Sequence, residues 1–112
     1  MLNSGDVVQL DLGVPKGSEA GLRRPAIVIT AQRVLARGPR VIQVVPLTRN
    51  LRGYASEVTI VADPDNGLNV DSAAQCQHIR AVATKRVIDA QGNVGGVVLT
   101  QVRETIALLL DL

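Results

Sequence analysis

The chain has 112 residues, a formal charge of +2 and an apolar share of 46% spread along its whole length. That excludes a disordered chain and fits one packed domain, while no apolar run approaches the roughly 20 residues of a membrane-spanning helix. One cysteine, Cys76, excludes an internal disulfide, and one cysteine with one histidine excludes a zinc site of soft ligands in a single chain.

The start, Met1-Leu2-Asn3-Ser4-Gly5-Asp6, lacks the basic residues and apolar stretch of a signal peptide, so a cytoplasmic location is expected. Residues 7–12 alternate as a half-buried strand, with Val8, Leu10 and Leu12 on one face. A polar, glycine-containing stretch from Gly13 to Arg24 is longer than a hairpin needs, a property of functional loops. Residues 25–30 form a continuous apolar run, which predicts a strand buried on both faces. Pro25 sits at the first position, where no ladder hydrogen bond is lost. The Gly38-Pro39 turn leads into a third strand, residues 41–48, whose alternation aims Thr48 the same way as Ile42 and Val44, at the rim. After Arg52-Gly53-Tyr54 come a strand at 56–61, the turn Asp63-Pro64-Asp65-Asn66-Gly67 and an extended segment from about Ser72 to Val82. The period then changes. Val98, Val102, Ile106, Leu109 and Leu110 recur at three and four residues, one face of a helix. Gly95-Gly96 gives that helix no side-chain cap, so it depends on docking its apolar face. Its last turn is apolar on more than one side, from packing within the barrel or from a subunit interface. The expected architecture for residues 1–112 is a single domain, mainly β with a C-terminal helix (α+β), its antiparallel strands bent into a small barrel.

Ten of the twelve cations are arginine, whose planar fork of donors matches phosphate oxygens; GC-rich coding would raise arginine equally. The ten acidic residues are scattered rather than gathered around one ion, so the chemistry is expected to be metal-free, with no cofactor. Three segments carry candidate chemistry. In the first, Lys16, Ser18, Glu19, Arg23 and Arg24 precede a buried strand. Pro25 restricts Arg24 to extended backbone, so a strand could present this arginine with little rotamer loss; alone, an arginine pair only solvates a loop. In the second, Thr48 and Arg49 end the third strand, where a threonine is ordinarily a ladder or turn residue. In the third, Gln75, Gln77 and Ile79 would share one strand face and Cys76, His78 and Arg80 the other. Amides read base edges through paired donors and acceptors, although a polar strand surface looks the same.

Taken in order, Gly5-Asp6-Val7-Val8, Lys16-Gly17-Ser18-Glu19, Arg23-Arg24-Pro25-Ala26-Ile27-Val28, Val45-Pro46-Leu47-Thr48 and Gln77-His78-Ile79-Arg80 resemble the MazF/PemK family of toxin endoribonucleases, in particular its actinobacterial members. The likeness covers nearly the whole chain. It implies an SH3-like barrel of the CcdB/PemK type that acts as a homodimer. It also implies metal-independent, sequence-specific cleavage of single-stranded mRNA and neutralisation by a cognate antitoxin through that partner's flexible C-terminal tail. The resemblance places the catalytic pair on Arg24 and Thr48 and gives Glu19 an acid–base role. RNA contacts are expected from Lys16, Ser18, Arg23, Arg49, Tyr54, Gln75, Gln77, His78 and Arg80.

Two residues depart from the pattern: His78 stands where many members have glutamine, and Gln9 where many have an aromatic. The only aromatic is Tyr54, so base contacts fall to amides, backbone groups and arginine planes rather than to ring stacking. Two other readings remain. A gyrase-poisoning toxin of the same fold uses a tryptophan near the end of its helix, and this chain has none; a catalytically silent RNA-binding barrel would bind without cutting.

Overall fold

The computed structural model describes residues 1–13 and 23–112; Lys16, Ser18 and Glu19 lie outside the described residues. Seven strands, β1 (Asp6–Asp11), β2 (Arg23–Val28), β3 (Val41–Thr48), β4 (Glu57–Ile60), β5 (Ser72–Gln75), β6 (Arg80–Ala83) and β7 (Val87–Asn93), are joined by a short helix α1 (Gln32–Leu35) and closed by α2 (Gly95–Leu110). The sheet runs β4-β5-β3-β2-β1-β7, and β6 also pairs with β3. Every pairing is antiparallel. β3 is the spine: its first half pairs with β6 and its last two residues with β5.

The sequence explains why this sheet bends around itself. Side chains alternate across a strand, and β1, β2 and β3 are apolar in both registers. One set, Val7, Ile27, Val45 and Leu47, packs with Ile60, Ala74, Cys76, Val102 and Ile106 beneath α2. The other set, Val8, Leu10, Ala26, Val28, Ile42 and Val44, packs with Leu35 and Val82. The expected face of Val8, Leu10 and Leu12 is therefore present, but β1 is buried on both faces rather than half-buried, because Val7 is fully covered by the helix side.

Three other expectations change. The extended run 72–82 is broken by a 3-10 turn at Cys76–His78, which sends Cys76 into the core and leaves Gln77 and His78 exposed. β7 and α1 had no signal in the sequence. In α2 the buried residues are Leu99, Val102 and Ile106; Leu109 and Leu110 are 45% and 55% exposed and leave the core face. As expected, α2 starts without a side-chain cap. Among the described residues no helix is long and apolar enough to cross a membrane.

The turn after β4 is tied by Asn66, which is almost wholly buried. Its Oδ1 accepts from the backbone N–H of Asp63 and Leu68, and its Nδ2 donates to the carbonyl of Val61. Asp63 Oδ1 also accepts from Asn66 N–H, and the backbone carbonyl of Asp65 accepts from Asn93 N–H. Two glycines let this turn lie directly on β7. A Cβ on Gly67, whose φ is +69°, would fall 2.2 Å from the Gln91 carbonyl oxygen, and one on Gly92 would fall 2.4 Å from the Asn66 backbone carbon.

Candidate nucleic-acid interface

The β2–β3 ladder ends with Ala26 of β2 facing Pro46 of β3, and beyond that end Arg24 and Thr48 line the same two hollows. Across its other edge, Arg24 pairs with Leu10 of β1. The arginine thus projects from a strand that β1 holds at that position and that β3 holds from Ala26 onward. Its side chain is exposed, and among the described residues no carboxylate pairs with it. Thr48 is half-buried, and its Oγ1 accepts from Asn50 N–H at 3.1 Å. A hydroxyl has one proton to give and two lone pairs; with one lone pair engaged, the proton remains available to a ligand.

Arg24, Leu47 and Thr48 form a ridge between two hollows. The first, about 510 Å³, adds Arg23 and Arg49, the pair Gln9 and Gln91, and the wall Leu68, Asn69, Val70 and Ser72. Gln9 Nε2 donates to Gln91 Oε1 at 2.9 Å, and Gln91 Nε2 donates to the Gly67 carbonyl. Gln9 is therefore one link of an amide chain. The second hollow, about 500 Å³, is lined beside the ridge by Gln75, His78 and Arg80 over an apolar floor that includes Leu10, Val44 and Pro46.

Of the candidate residues, Arg23, Arg24, Thr48, Arg49, Gln75, His78 and Arg80 thus converge on one place. Gln77 and Tyr54 do not line it. The Tyr54 ring lies 4.5 Å from the Arg52 guanidinium carbon, a cation–π contact, and Gln77 bonds to Glu57. Sequence reading missed the 68–70 wall and Gln91, which carry no motif, and it missed Glu57.

Glu57 organises the strand pair behind the second hollow. Its side chain is 2% exposed, and its Oε2 accepts from Arg52 Nη2 at 2.5 Å, Gln77 Nε2 at 2.7 Å and Gln75 Nε2 at 3.4 Å. Burial pushes this carboxyl up, but the hydrogen bonds from Gln77, Arg52 and Gln75, with the charge of Arg52, outweigh it and hold Glu57 below the ordinary glutamate value. The same pair raises Arg52.

Comparisons with known proteins bear on the family and the fold. Residues 3–110 match the family described as PemK-like, MazF-like toxin of type II toxin-antitoxin system. The chain is 37% identical over 116 residues to Endoribonuclease MazF9 of Mycobacterium tuberculosis (strain ATCC 25618 / H37Rv), covering 100% of this chain and 98% of that protein. A MazE-MazF crystal structure from Deinococcus radiodurans superposes with a TM-score of 0.82 at 26% identity, over 99% of this chain and 96% of that one. Mycobacterium tuberculosis toxin MazF-mt6 gives 0.76 at 23%, over 96% and 97%. The chain belongs to the PemK-like, MazF-like toxins of type II toxin–antitoxin systems.

Proposed function

We propose that the protein is an endoribonuclease toxin that cuts single-stranded RNA at the ridge formed by Arg24 and Thr48. The observation that carries this reading is their placement on adjacent strands between two hollows rich in cations and amides. The 37% identity to an endoribonuclease supports the reaction class. The RNA's own 2′-hydroxyl is the proposed nucleophile. It bonds to the adjacent phosphorus as the P–O5′ bond breaks, giving a 2′,3′-cyclic phosphate and a 5′-hydroxyl. One proton leaves the 2′-oxygen and one reaches the 5′-oxygen.

The phosphorane between these states is crowded and doubly charged, and a fixed guanidinium aimed at it supplies the largest stabilisation. That is the role of Arg24, with the leaving-group proton as a second task. Thr48 donates its free proton to a non-bridging oxygen and holds the phosphate in line. A threonine hydroxyl is too weak an acid to supply the protons, so Glu19 is the candidate base. Arg23, Arg49 and Arg80 bind the flanking phosphates, together with Lys16 and Ser18. Gln75 and His78 read bases beside the ridge, and Gln77 and Tyr54, which line neither hollow, contact the RNA beyond them.

The proposed regulator is a cognate antitoxin whose flexible acidic and apolar C-terminal tail lies along the same groove and competes with RNA by charge; the Deinococcus relative is a MazE-MazF structure. A homodimer is proposed because Leu108, Leu109, Leu110 and Leu112 stand exposed together at the end of α2. The test is incubation of the purified protein with a long single-stranded RNA in EDTA, with sequencing of the ends. Cleavage leaving 5′-hydroxyl ends is expected. Binding without cleavage at every pH from about 5 to about 8 would overturn the catalytic reading.

A further inference from the structure

Both halves of the proposed reaction move a proton, and the lining of the two hollows offers few groups that can carry one. A guanidinium holds its protons to above about pH 12, so Arg24 stabilises charge far better than it gives up a proton. Thr48 and the lining amides do not ionise near neutral pH. Among the described residues, no carboxylate, lysine or tyrosine lines either hollow. One group is left. His78 is exposed and lines the second hollow with Arg24 and Thr48, and an imidazole changes charge between about pH 5 and 8. The 3-10 turn at Cys76–His78 puts it there: Cys76 is anchored in the core beneath α2, and the third residue of the turn comes out at the cleft. The turn packs against β3, β4 and α2. β3 carries no charge. β4 brings Glu57, which Arg52 and the glutamines hold. α2 brings Arg103, bonded to Ser4, and Glu104, which lines a different hollow. The charged groups that share a hollow with His78 are therefore Arg24 and Arg80.

We propose that His78 is a catalytic residue, the general acid that hands its proton to the departing 5′-oxygen. The inference rests on the ribonuclease reading above and takes over the second task given there to Arg24, leaving the guanidinium its charge. The 2′-oxygen bonds to phosphorus as its own proton passes to the base. The P–O5′ bond breaks, its electron pair stays with the 5′-oxygen, and that oxygen takes the proton from an imidazolium N–H. The products are the 2′,3′-cyclic phosphate, a 5′-hydroxyl and a neutral imidazole, which solvent reprotonates before the next turnover. Without that proton the 5′-oxygen would leave as an alkoxide, a far stronger base than an imidazole, and an acid within reach removes that part of the barrier. An imidazolium has two N–H donors, so the second remains for a base edge.

The experiment compares two short RNAs of the preferred sequence, found by mapping cleavage ends on a long RNA. One is ordinary, and the other has sulfur in place of the bridging 5′-oxygen at the cut. A thiol ionises at about pH 8.5, so sulfur departs as a thiolate and needs no proton. With the ordinary RNA, His78→Gln, checked as folded by circular dichroism, should lower kcat by about 100-fold. With the sulfur RNA it should stay within about threefold of the wild type. The wild type gives a second readout that needs no variant. Its kcat should fall with the ordinary RNA as pH rises from about 5 to about 8, since the acid must hold its proton, and show no such fall with the sulfur RNA. A folded variant that is slowed equally on both RNAs, or that cuts the ordinary one within about threefold of the wild type, overturns this inference alone. A wild-type profile with no such fall, or with the same fall on both RNAs, does so too. Failure of the wild type to cut any ordinary RNA overturns the ribonuclease reading and this inference with it.

Discussion

The two hollows beside Arg24 are of similar size but are held open by different physics. The first is a matter of backbone. Gly67 and Gly92 let the 63–67 turn lie on β7 at distances no Cβ permits, Asn66 ties the turn internally, and the 68–70 wall follows from where that turn sits. The second is a matter of charge and hydrogen bonding: one carboxylate, Glu57, gathers Arg52, Gln75 and Gln77. The first hollow should therefore respond to volume and hardly to pH. The second should respond to charge at constant volume.

The largest effect belongs to the residue both hollows share. Arg24→Ala should lower single-turnover cleavage by about 100- to 1,000-fold, the usual cost of one donor to a developing anion, with the fold intact by circular dichroism. Thr48→Val keeps the shape and removes a neutral donor, which is weaker than a charged one; a fall in kcat of about 10- to 100-fold is expected, with KM little changed.

The next two separate the hollows. Gly92→Ala drives a methyl into the Asn66 backbone and should destabilise the fold by about 1–3 kcal/mol in denaturant melts. It should shift the 68–70 wall while leaving base preference at the Gln75 position as it was. The smallest effect is acid sensitivity. Glu57 in the unfolded chain takes up its proton near 4.5, whereas the folded carboxyl holds out to a lower value. Its contribution is thus complete above the unfolded value and is lost as pH falls through the folded one. Melting temperatures between about pH 5 and about pH 3 should drop more steeply in the wild type than in Glu57→Gln. Equal slopes would remove Glu57 from the account of the second hollow.

Much of this was legible beforehand where side chains alternate against a core. Strands β1 to β4 announced themselves through Val8 and Leu10, through the run at 25–30, and through Ile42 and Val44. β7 did not, because its segment, Val-Ile-Asp-Ala-Gln-Gly-Asn, is held largely by backbone pairing with β1 and has no clear apolar face. The alternation at 75–80 misled for a physical reason: Cys76 turns inward through a 3-10 step, which a period of two cannot represent. The motif residues Arg24 and Thr48 were visible in the sequence, and the fold brings them together on the lining of both hollows. Leu68, Asn69 and Val70 were not, since a wall placed by the contacts of Gly67 with Gln91 and of Gly92 with Asn66 leaves no motif of its own. Glu57 was invisible for a different reason: an isolated glutamate in a strand looks solvated until its three donors are seen.

Cys76 is fully covered between the sheet and α2, its Sγ lies 3.8 Å from the Val102 carbonyl oxygen, and burial pushes the thiol up to about 11. Since thiolates rather than thiols react, a disulfide reagent at neutral pH has almost nothing to attack until the helix lifts from the strands. The chain thus carries a built-in clock for that opening. The rate at which its lone thiol becomes titratable with excess reagent reads how often the core beneath α2 comes apart, without any label being introduced.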